Sequence, residues 1–458
     1  MSTRTEDLMR AAWTAIGGPP AALAAVRLTG DGGLPSTFAV SDLAAATVAV
    51  AALSIAELAQ ARGGPAPAVL VDRRLASFWF KESIRPSGWR LPPRWGPLAG
   101  DFRASDGWIR LHTNAPHHHA IAERVLEGPR DKAAAAQAVA RWRAHDLETA
   151  IVAAGGCAAE MRSTRSWAQH PQGRAVAAEP LVHFLAAGRA ADRDWAAPGS
   201  RPLAGIRVLD LTRVLAGPVA SRFLAGFGAT VLRIDPPHWN EPGTVPEVTL
   251  GKRCARLDHK TDEGRRIFED LLTTADVFLN GYRSDALDRL GYGDDARRAL
   301  APGLVDVRLD AYGWSGPWAT RRGFDSLVQM SSGIADAGMR WKNADAPVPL
   351  PAQALDHTTG YLTAASAIRG LTLRLTRRHG TQARLSLART AKLLIDCGEN
   401  RDTAPLAPEA PADIAPDIER TSWGDAHRLV PPITIDGIPM RWELPASDLG
   451  SAPPAWWS

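Results

Sequence analysis

Asp356 stands in ALDHTTGY, where a short polar run opens a long Ala-rich stretch. A helix starting there would offer the carboxylate the positive end of its dipole and unpaired backbone N–H groups, both of which favour the ionised form. An ionised carboxylate in that place has two uses. It caps the helix, or it attacks an electrophilic carbonyl and carries an acyl group covalently. Asp42, after Ser41, opens a second Ala-rich stretch and reads first as a cap. Positive charge gathers in loops: Arg213 in LTRVLAGP, then Lys252, Arg253 and Lys260 in GKRCARLDHKTDEG, then Arg283 and Arg289 in NGYRSDALDRLG. Lys and Arg beside helix starts suit phosphates, and the same residues are also what a solvated surface carries.

Several other chemistries find no support. His117, His118 and His119 are consecutive, so on a helix they point in different directions, and no acidic or Cys cluster joins them as metal ligands. Cys157, Cys254 and Cys397 form no CxxC pair and no disulfide framework. LTRVLAGP is not GxGxxG, the GxG of LAGFGAT falls after the helix, and no P-loop occurs, so nucleotide binding by those routes is excluded. The aromatic run SFWFKESIRPSGWRLPPRW and the closing APPAWWS are not interleaved with a basic stripe and read as packing, not nucleic-acid stacking.

The elements that must position Asp356 follow from the apolar pattern. The chain has 458 residues, 45% hydrophobic and 22% charged, with 53 Lys and Arg against 49 Asp and Glu for a net charge of +4. That composition is globular and fits two or three domains. The most apolar stretch, Leu43 to Leu58, is interrupted by Thr47, Ser54 and Glu57 and is shorter than the roughly 20 residues of a bilayer span. It is expected to be a buried helix of a cytoplasmic protein, and the N-terminus lacks a secretory apolar region. From Ile206 onward, apolar strand-like runs (to Leu211, then ATVLRIDPP, ADVFLNGY and LVDVRLDAYG) alternate with helical stretches, which predicts a parallel, doubly wound sheet. The fold class expected is α/β: a Rossmann-like large domain, a smaller α+β domain N-terminal to it, and a helical N-terminal segment. The boundaries are a helical segment 1–95, a small domain 96–190 opening on a hairpin-like DG turn, a large domain 202–400, and a linker and tail 401–458 returning to the large domain. Breaks fall at Ala191 to Pro202 and at Asp402 to Pro416. A weak internal repeat relates the Asp42 stretch, from Phe38, to the Asp356 stretch, from Pro351. Each has an Asp opening an Ala-rich helix, then Arg and Gly, then a strand-like run.

In order along the chain, LAGIRVLDLTRVLAGPVASRFLAGFGATVLRID, GKRCARLDHKTDEG, ADVFLNGYRSDALDRLG, YGWSGPWATRRGFDSLVQMSSGI and ALDHTTGY resemble the class III CoA-transferases, a family that includes formyl-CoA and carnitine CoA-transferases and the related α-methylacyl-CoA racemases. The resemblance covers about Pro202 to Arg389. It extends more weakly to SDGWIRLHT and the helical text after it, which look like the family's small domain placed before the large domain instead of after it.

The resemblance implies a transfer of CoA between an acyl-CoA and a carboxylic acid. Asp356, in the place of the family's nucleophile, would form an aspartyl anhydride and then an aspartyl-CoA thioester. It implies CoA contacts at Arg213, Val214 and Ala216, at Leu257 and Lys260, and at Gly281, Tyr282 and Arg289. The family's ENFRPG is NGYRSD here, so Gly281 has only backbone to offer. The racemase branch has GHD where this chain has GFD, and Phe324 cannot act as a base, which leaves a racemase or isomerase as the alternative, beside a degenerate CoA-binding partner. No permanently bound cofactor or metal is expected, and CoA or acyl-CoA enters as substrate. Small acids are the other partners, with no nucleic acid or membrane. Family members are interlocked homodimers. Here the Asp42 helix is expected to pack beside the Asp356 helix as the partner's equivalent would, with a homodimer still possible.

Overall fold

Short apolar runs become strands and Ala-rich runs become helices across residues 3–190, 195, 199–400 and 404–457, which the computed structural model describes. Most of the linker read at Ala191 to Pro202, and the boundary near 401, lie outside those residues. Along the chain run helices α1 (Thr3–Ala15), α2 (Val40–Ala61), α3 (Ala216–Gly226), α4 (Asp325–Ser331) and α5 (Ala354–Arg377). The strands that matter are β1 (Val26–Thr29), β2 (Val69–Asp72), β3 (His183–Arg189), β4 (Arg207–Leu211), β5 (Thr230–Asp235), β6 (Lys252–Arg256), β7 (Val277–Asn280), β8 (Val305–Asp310), β9 (His379–Ser386) and β10 (Ile433–Ile435).

The main sheet has the order β6-β5-β4-β7-β8-β9-β3. Its first six strands are parallel, with Val208 opposite both Val231 and Val277, and Val305 opposite both Val277 and Thr381. Helices cover both faces, so β7 is buried at every residue and β4 at all but its first. The chain winds outward from β4 to β6 and then restarts at β7 on the other side of β4. In open α/β sheets that reversal leaves a crevice beyond the strand ends, where ligands bind. The turns after β4 and β7 carry Arg213–Val214 and Gly281–Tyr282.

The seventh strand departs from the sequence expectation. β3 ends the 96–190 segment, yet it leaves the small domain and pairs antiparallel with β9, Phe184 opposite Ala383. The small domain itself is an antiparallel sheet of Gly100–Arg103, Trp108–Leu111 and Ala158–Glu160, closed by the Asp106–Gly107 turn. Its helices pack a separate core around Phe102, Ile109, Val139, Leu147 and Ile151. The 1–95 segment is not purely helical either. β1 and β2 pair in parallel, and the tail strand β10 adds antiparallel to β2. β2 is the strand-like run read after the Asp42 stretch, while β1 and β10 were hard to read because each is short and completed by a distant partner. The tail also returns to the large domain, where Leu444 O accepts from Gly251 N and Trp442 Nε1 donates to Arg222 O.

α2 is long and apolar enough to cross a membrane, and it is instead almost wholly buried. It packs along α5, which also lies on α3, β8 and β9. The two helices start alike: Ala39 and Gln353 occupy their N-cap positions at φ −76°, ψ 63° and φ −76°, ψ 65°, and Asp42 and Asp356 are the third residues that follow. Arg369 of α5 and Glu57 of α2 close the pairing with a 2.6 Å ion pair. The two Ala-rich helices that open on Asp42 and Asp356 thus pack side by side within one chain.

Candidate active site

Asp356 sits in the first turn of α5, whose N-cap residue Gln353 supplies no side-chain cap. The missing acceptor comes from another helix. Asp325, first residue of α4, accepts the Asp356 N–H at 2.9 Å. Gln329, one turn on, donates to the other oxygen of Asp325, and its own carbonyl oxygen accepts the Leu350 N–H at 2.7 Å. This clamp fixes the chain from Leu350 into α5.

The clamp reverses one electrostatic expectation. The helix start was expected to hold Asp356 ionised, but its N–H serves Asp325, and among the described residues nothing donates to the Asp356 carboxylate. Burial, together with the like charge of Asp325, pushes Asp356 well above the usual carboxylate range. Burial also raises Asp325, to about 6, against the pull of bonds from the Asp356 N–H, Gln329 and Leu355. The two carboxyls form a pair in which Asp325 holds the charge more readily.

Asp356, 8% exposed, lines a cleft that opens to solvent. Val214, Leu215, Thr244, Phe324 and Asp325 line it from the second half of the chain. The first half contributes Lys81, Arg94, Trp95, His112 and Asn114. Sequence reading missed all five. Lys81, Arg94 and Trp95 fall in the aromatic run read as packing and His112 in the stretch read as small domain, and they reach the cleft through tertiary contacts alone. A strap over 92–96 carries two of them. It passes so close to Gly243 that a Cβ there would lie 2.7 Å from Pro93 O. Asn114 fastens it, donating to Arg94 O at 2.8 Å and accepting from Gly96 N at 2.9 Å. His112 lies flat on Phe324, ring centroids 3.7 Å apart, and burial near Arg110 lowers its pKa to about 3, so the ring is neutral. The 81–84 stretch is anchored by Glu247, which accepts from Ser83 N, Ser83 Oγ and Ile84 N at 3.0, 2.7 and 3.1 Å. Despite burial, Arg222 and Arg428 hold Glu247 down to about 2.

The residues implied for CoA divide into two groups. At the sheet crevice, the Arg213 guanidinium lies between the rings of Trp239 and Tyr282, 4.6 and 4.4 Å from their centroids. Val214 has φ +65°, a region a β-branched residue rarely enters; its N–H donates to Glu241 at 2.9 Å. Ala216 opens α3, and its carbonyl lies against α5, where a Cβ on Gly360 would meet it at 2.4 Å. Leu257 is buried, its N–H bonded to Asp235 O at 2.9 Å. Gly281 follows β7 with 3.5 Å of room to Thr212, so a side chain there would fit. Lys260 and Arg289 stand apart on the surface, and Arg289, 67% exposed, pairs with Asp285 at 2.5 Å.

The basic patch is smaller than its sequence suggests. Lys252 is buried against Asp210 and Pro218 O, and Arg253 stacks on Trp457. Asp42 has a settled role: Arg73 grips both its oxygens, at 2.8 and 3.0 Å, and Thr5 adds a third bond. These hold it below the usual carboxylate range despite burial. Of the three histidines, His118 contacts Cys157 and His119 pairs with Glu123. One further group, His145, Glu148 and Glu160, clusters among the described residues, and both its carboxylates are paired with Arg162.

Residues 203–402 match CoA-transferase family III. Among similar proteins, an acyl-CoA transferase of Gibberella moniliformis is 31% identical over 310 residues, covering 64% of this chain and 50% of the relative. The probable fatty acyl-CoA transferase Rv3272 of Mycobacterium tuberculosis is 32% identical over 38% of this chain and 47% of its own. The mouse succinyl-CoA:glutarate CoA-transferase is 29% identical over 51% and 53% respectively. A crystal structure of Rv3272 covers 42% of this chain and 56% of its own at 30% identity, with a TM-score of 0.39. The chain thus spans about half the length of the curated relatives it matches.

Proposed function

We propose, from the match of residues 203–402 to CoA-transferase family III, that this protein moves CoA between an acyl-CoA thioester and a carboxylic acid, with Asp356 as the nucleophile. The observation that carries the reading is a buried carboxyl that receives no donor among the described residues and lines a cleft together with Val214 and Leu215, from the turn between β4 and α3. Deprotonated Asp356 attacks the thioester carbonyl; the C–S bond breaks and CoA leaves as thiolate. The product is a mixed anhydride. The thiolate then attacks the Asp356 carbonyl, expelling the first acid as carboxylate and leaving an aspartyl-CoA thioester. The acceptor carboxylate repeats these steps in reverse. The aromatic walls keep water from the anhydride, and Asp325 holds the first turn of α5 in place. Arg213, Val214 and Tyr282 are the CoA contacts proposed at the crevice, with Lys260 and Arg289 as outlying contacts for its phosphates.

Mass spectrometry after incubation with acyl-CoAs tests the reading. A CoA adduct on the Asp356 peptide, released by hydroxylamine and absent in Asp356→Ala, is expected; transfer retained by Asp356→Ala overturns it. A second reading is favoured by one observation, the neutral ring of His112 on Phe324. It is proton exchange at the carbon beside the thioester. Deuterium uptake into acyl-CoA without acid-dependent transfer would select it.

The wall formed by residues 81–114 supports a site completed within one chain. Light scattering would determine whether two chains also pair.

A further inference from the structure

Among the described residues that line the cleft, Val214 alone holds its backbone in the left-handed region, at φ +65°. A β-branched side chain is costly there, and such a conformation persists only where its surroundings enforce it. The enforcing group is Glu241, in the loop between β5 and β6. One of its carboxylate oxygens accepts both the Val214 N–H and the Trp239 Nε1–H, each at 2.9 Å. The other accepts from the fully buried Arg233 guanidinium at 2.5 Å. Its backbone carbonyl accepts the Thr244 N–H at 3.0 Å. One residue therefore fixes two parts of the cleft, Val214 and Thr244, and also the Trp239 ring against which Arg213 lies.

We propose that Glu241 is a positioning residue: by gripping the Val214 N–H it holds the turn between β4 and α3 in its left-handed form, and so sets the crevice at Arg213 in a fixed relation to the cleft at Asp356. This rests on the CoA-transfer reading. Val214 is where the two spaces meet. The residue before it, Arg213, lies between Trp239 and Tyr282, and the residue after it, Leu215, lines the cleft with Asp356. A change in the Val214 φ turns the 213–214 peptide, whose N–H Glu241 holds, and moves Arg213 relative to Leu215. A thioester delivered from the crevice must arrive beside Asp356, and a misplacement of about 1 Å slows such a step many-fold. The charge-assisted bond from the carboxylate opposes that relaxation.

The test compares the wild type, Glu241→Ala, Val214→Gly and the double variant, with Glu241→Gln beside them. Each is incubated with acetyl-CoA and with succinyl-CoA, and the initial rate at which the CoA adduct forms on the Asp356 peptide is read by mass, with a thermal melt of each protein. Glu241→Ala is expected to slow adduct formation about tenfold or more. Glycine enters the left-handed region freely, so in the Val214→Gly background the same change is expected to cost about threefold or less, a non-additivity that marks the two residues as coupled. Glu241→Gln keeps an oxygen for the Val214 N–H and is expected to stay within about threefold of the wild type. An equal loss in both backgrounds, or Glu241→Gln as slow as Glu241→Ala, overturns the proposal, since Glu241 then acts through its charge on Arg233 and not through the Val214 peptide. Glu241→Ala unfolded at the assay temperature in both backgrounds makes Glu241 a support of the whole fold and overturns it equally. In each of these cases the wild-type adduct keeps the transfer reading. A wild type that forms no adduct with either acyl-CoA removes that reading and this proposal with it.

Discussion

The carboxyl of Asp356 is poised against Asp325, and this affects both stability and rate. A buried acid whose pKa is raised binds its proton more readily folded than unfolded. It therefore costs stability as pH climbs from the ordinary value of 3.8 toward its value in the fold. Asp356→Asn removes that cost. It is expected to abolish transfer while stabilising the protein above pH 3.8 by about 1–3 kcal/mol, measured by urea unfolding across pH, with the wild type losing stability as pH rises and the variant not. Asp325→Asn removes the like charge and keeps an acceptor for the Asp356 N–H. The pH at which adduct formation reaches half its maximum should then move down, read as initial rates of CoA adduct formation across a pH series; an unmoved midpoint would separate the two carboxyls. Asp356 could be singled out as a candidate because its type and neighbours carry chemistry. The inverted electrostatics were not, since they depend on a residue 31 positions away whose role appears only when α4 and α5 meet.

Helices α2 and α5 show what a pattern of residues can and cannot disclose. Each was readable as an Asp before an Ala-rich run, and the two helices start with nearly the same N-cap angles. The different fates of the two aspartates were not readable, because Arg73 and Thr5 reach Asp42 from elements remote in sequence. The parallel strands were legible from their apolar runs, and the turns after β4 and β7 from the residues in them. The strap and its fastening at Asn114 were not, for they contain no period and no motif. α5 also depends on one close approach. At Gly360, one turn beyond Asp356, it touches the start of α3, and a methyl group would meet Ala216 O at 2.4 Å. Gly360→Ala is expected to push α5 off α3, costing about 1–3 kcal/mol of stability and at least about tenfold in kcat, as small displacements of a reacting group do. Thermal melts and steady-state rates measure both. Full activity would mean that the helix position tolerates adjustment.

Across the whole molecule, an ion and hydrogen-bond network joins the halves where Glu247 meets Ser83, Ile84, Arg222 and Arg428. Its lowered pKa contributes stability that is present above the ordinary value of 4.5 and is lost as pH falls toward about 2. Glu247→Gln leaves two guanidinium groups short of a counter-charge and is expected to cost about 3–5 kcal/mol. It should also speed proteolysis within residues 81–96 before global unfolding; uniform cleavage across the chain would mean that the network does not hold that stretch. The exchange of strands has a consequence in time. β3 finds no place until β9 exists, and the open edge of β2 is covered only by β10, with Val71 opposite Ile433. On the ribosome, the first half emerges with an unpaired edge and an orphan strand, and it waits for nearly the whole chain before either is satisfied. Contacts so distant in sequence make folding slow, and exposed edges recruit other chains. Synthesis of this protein therefore includes an interval in which a chaperone covering β2 and β3 has more effect on yield than any change to the finished core.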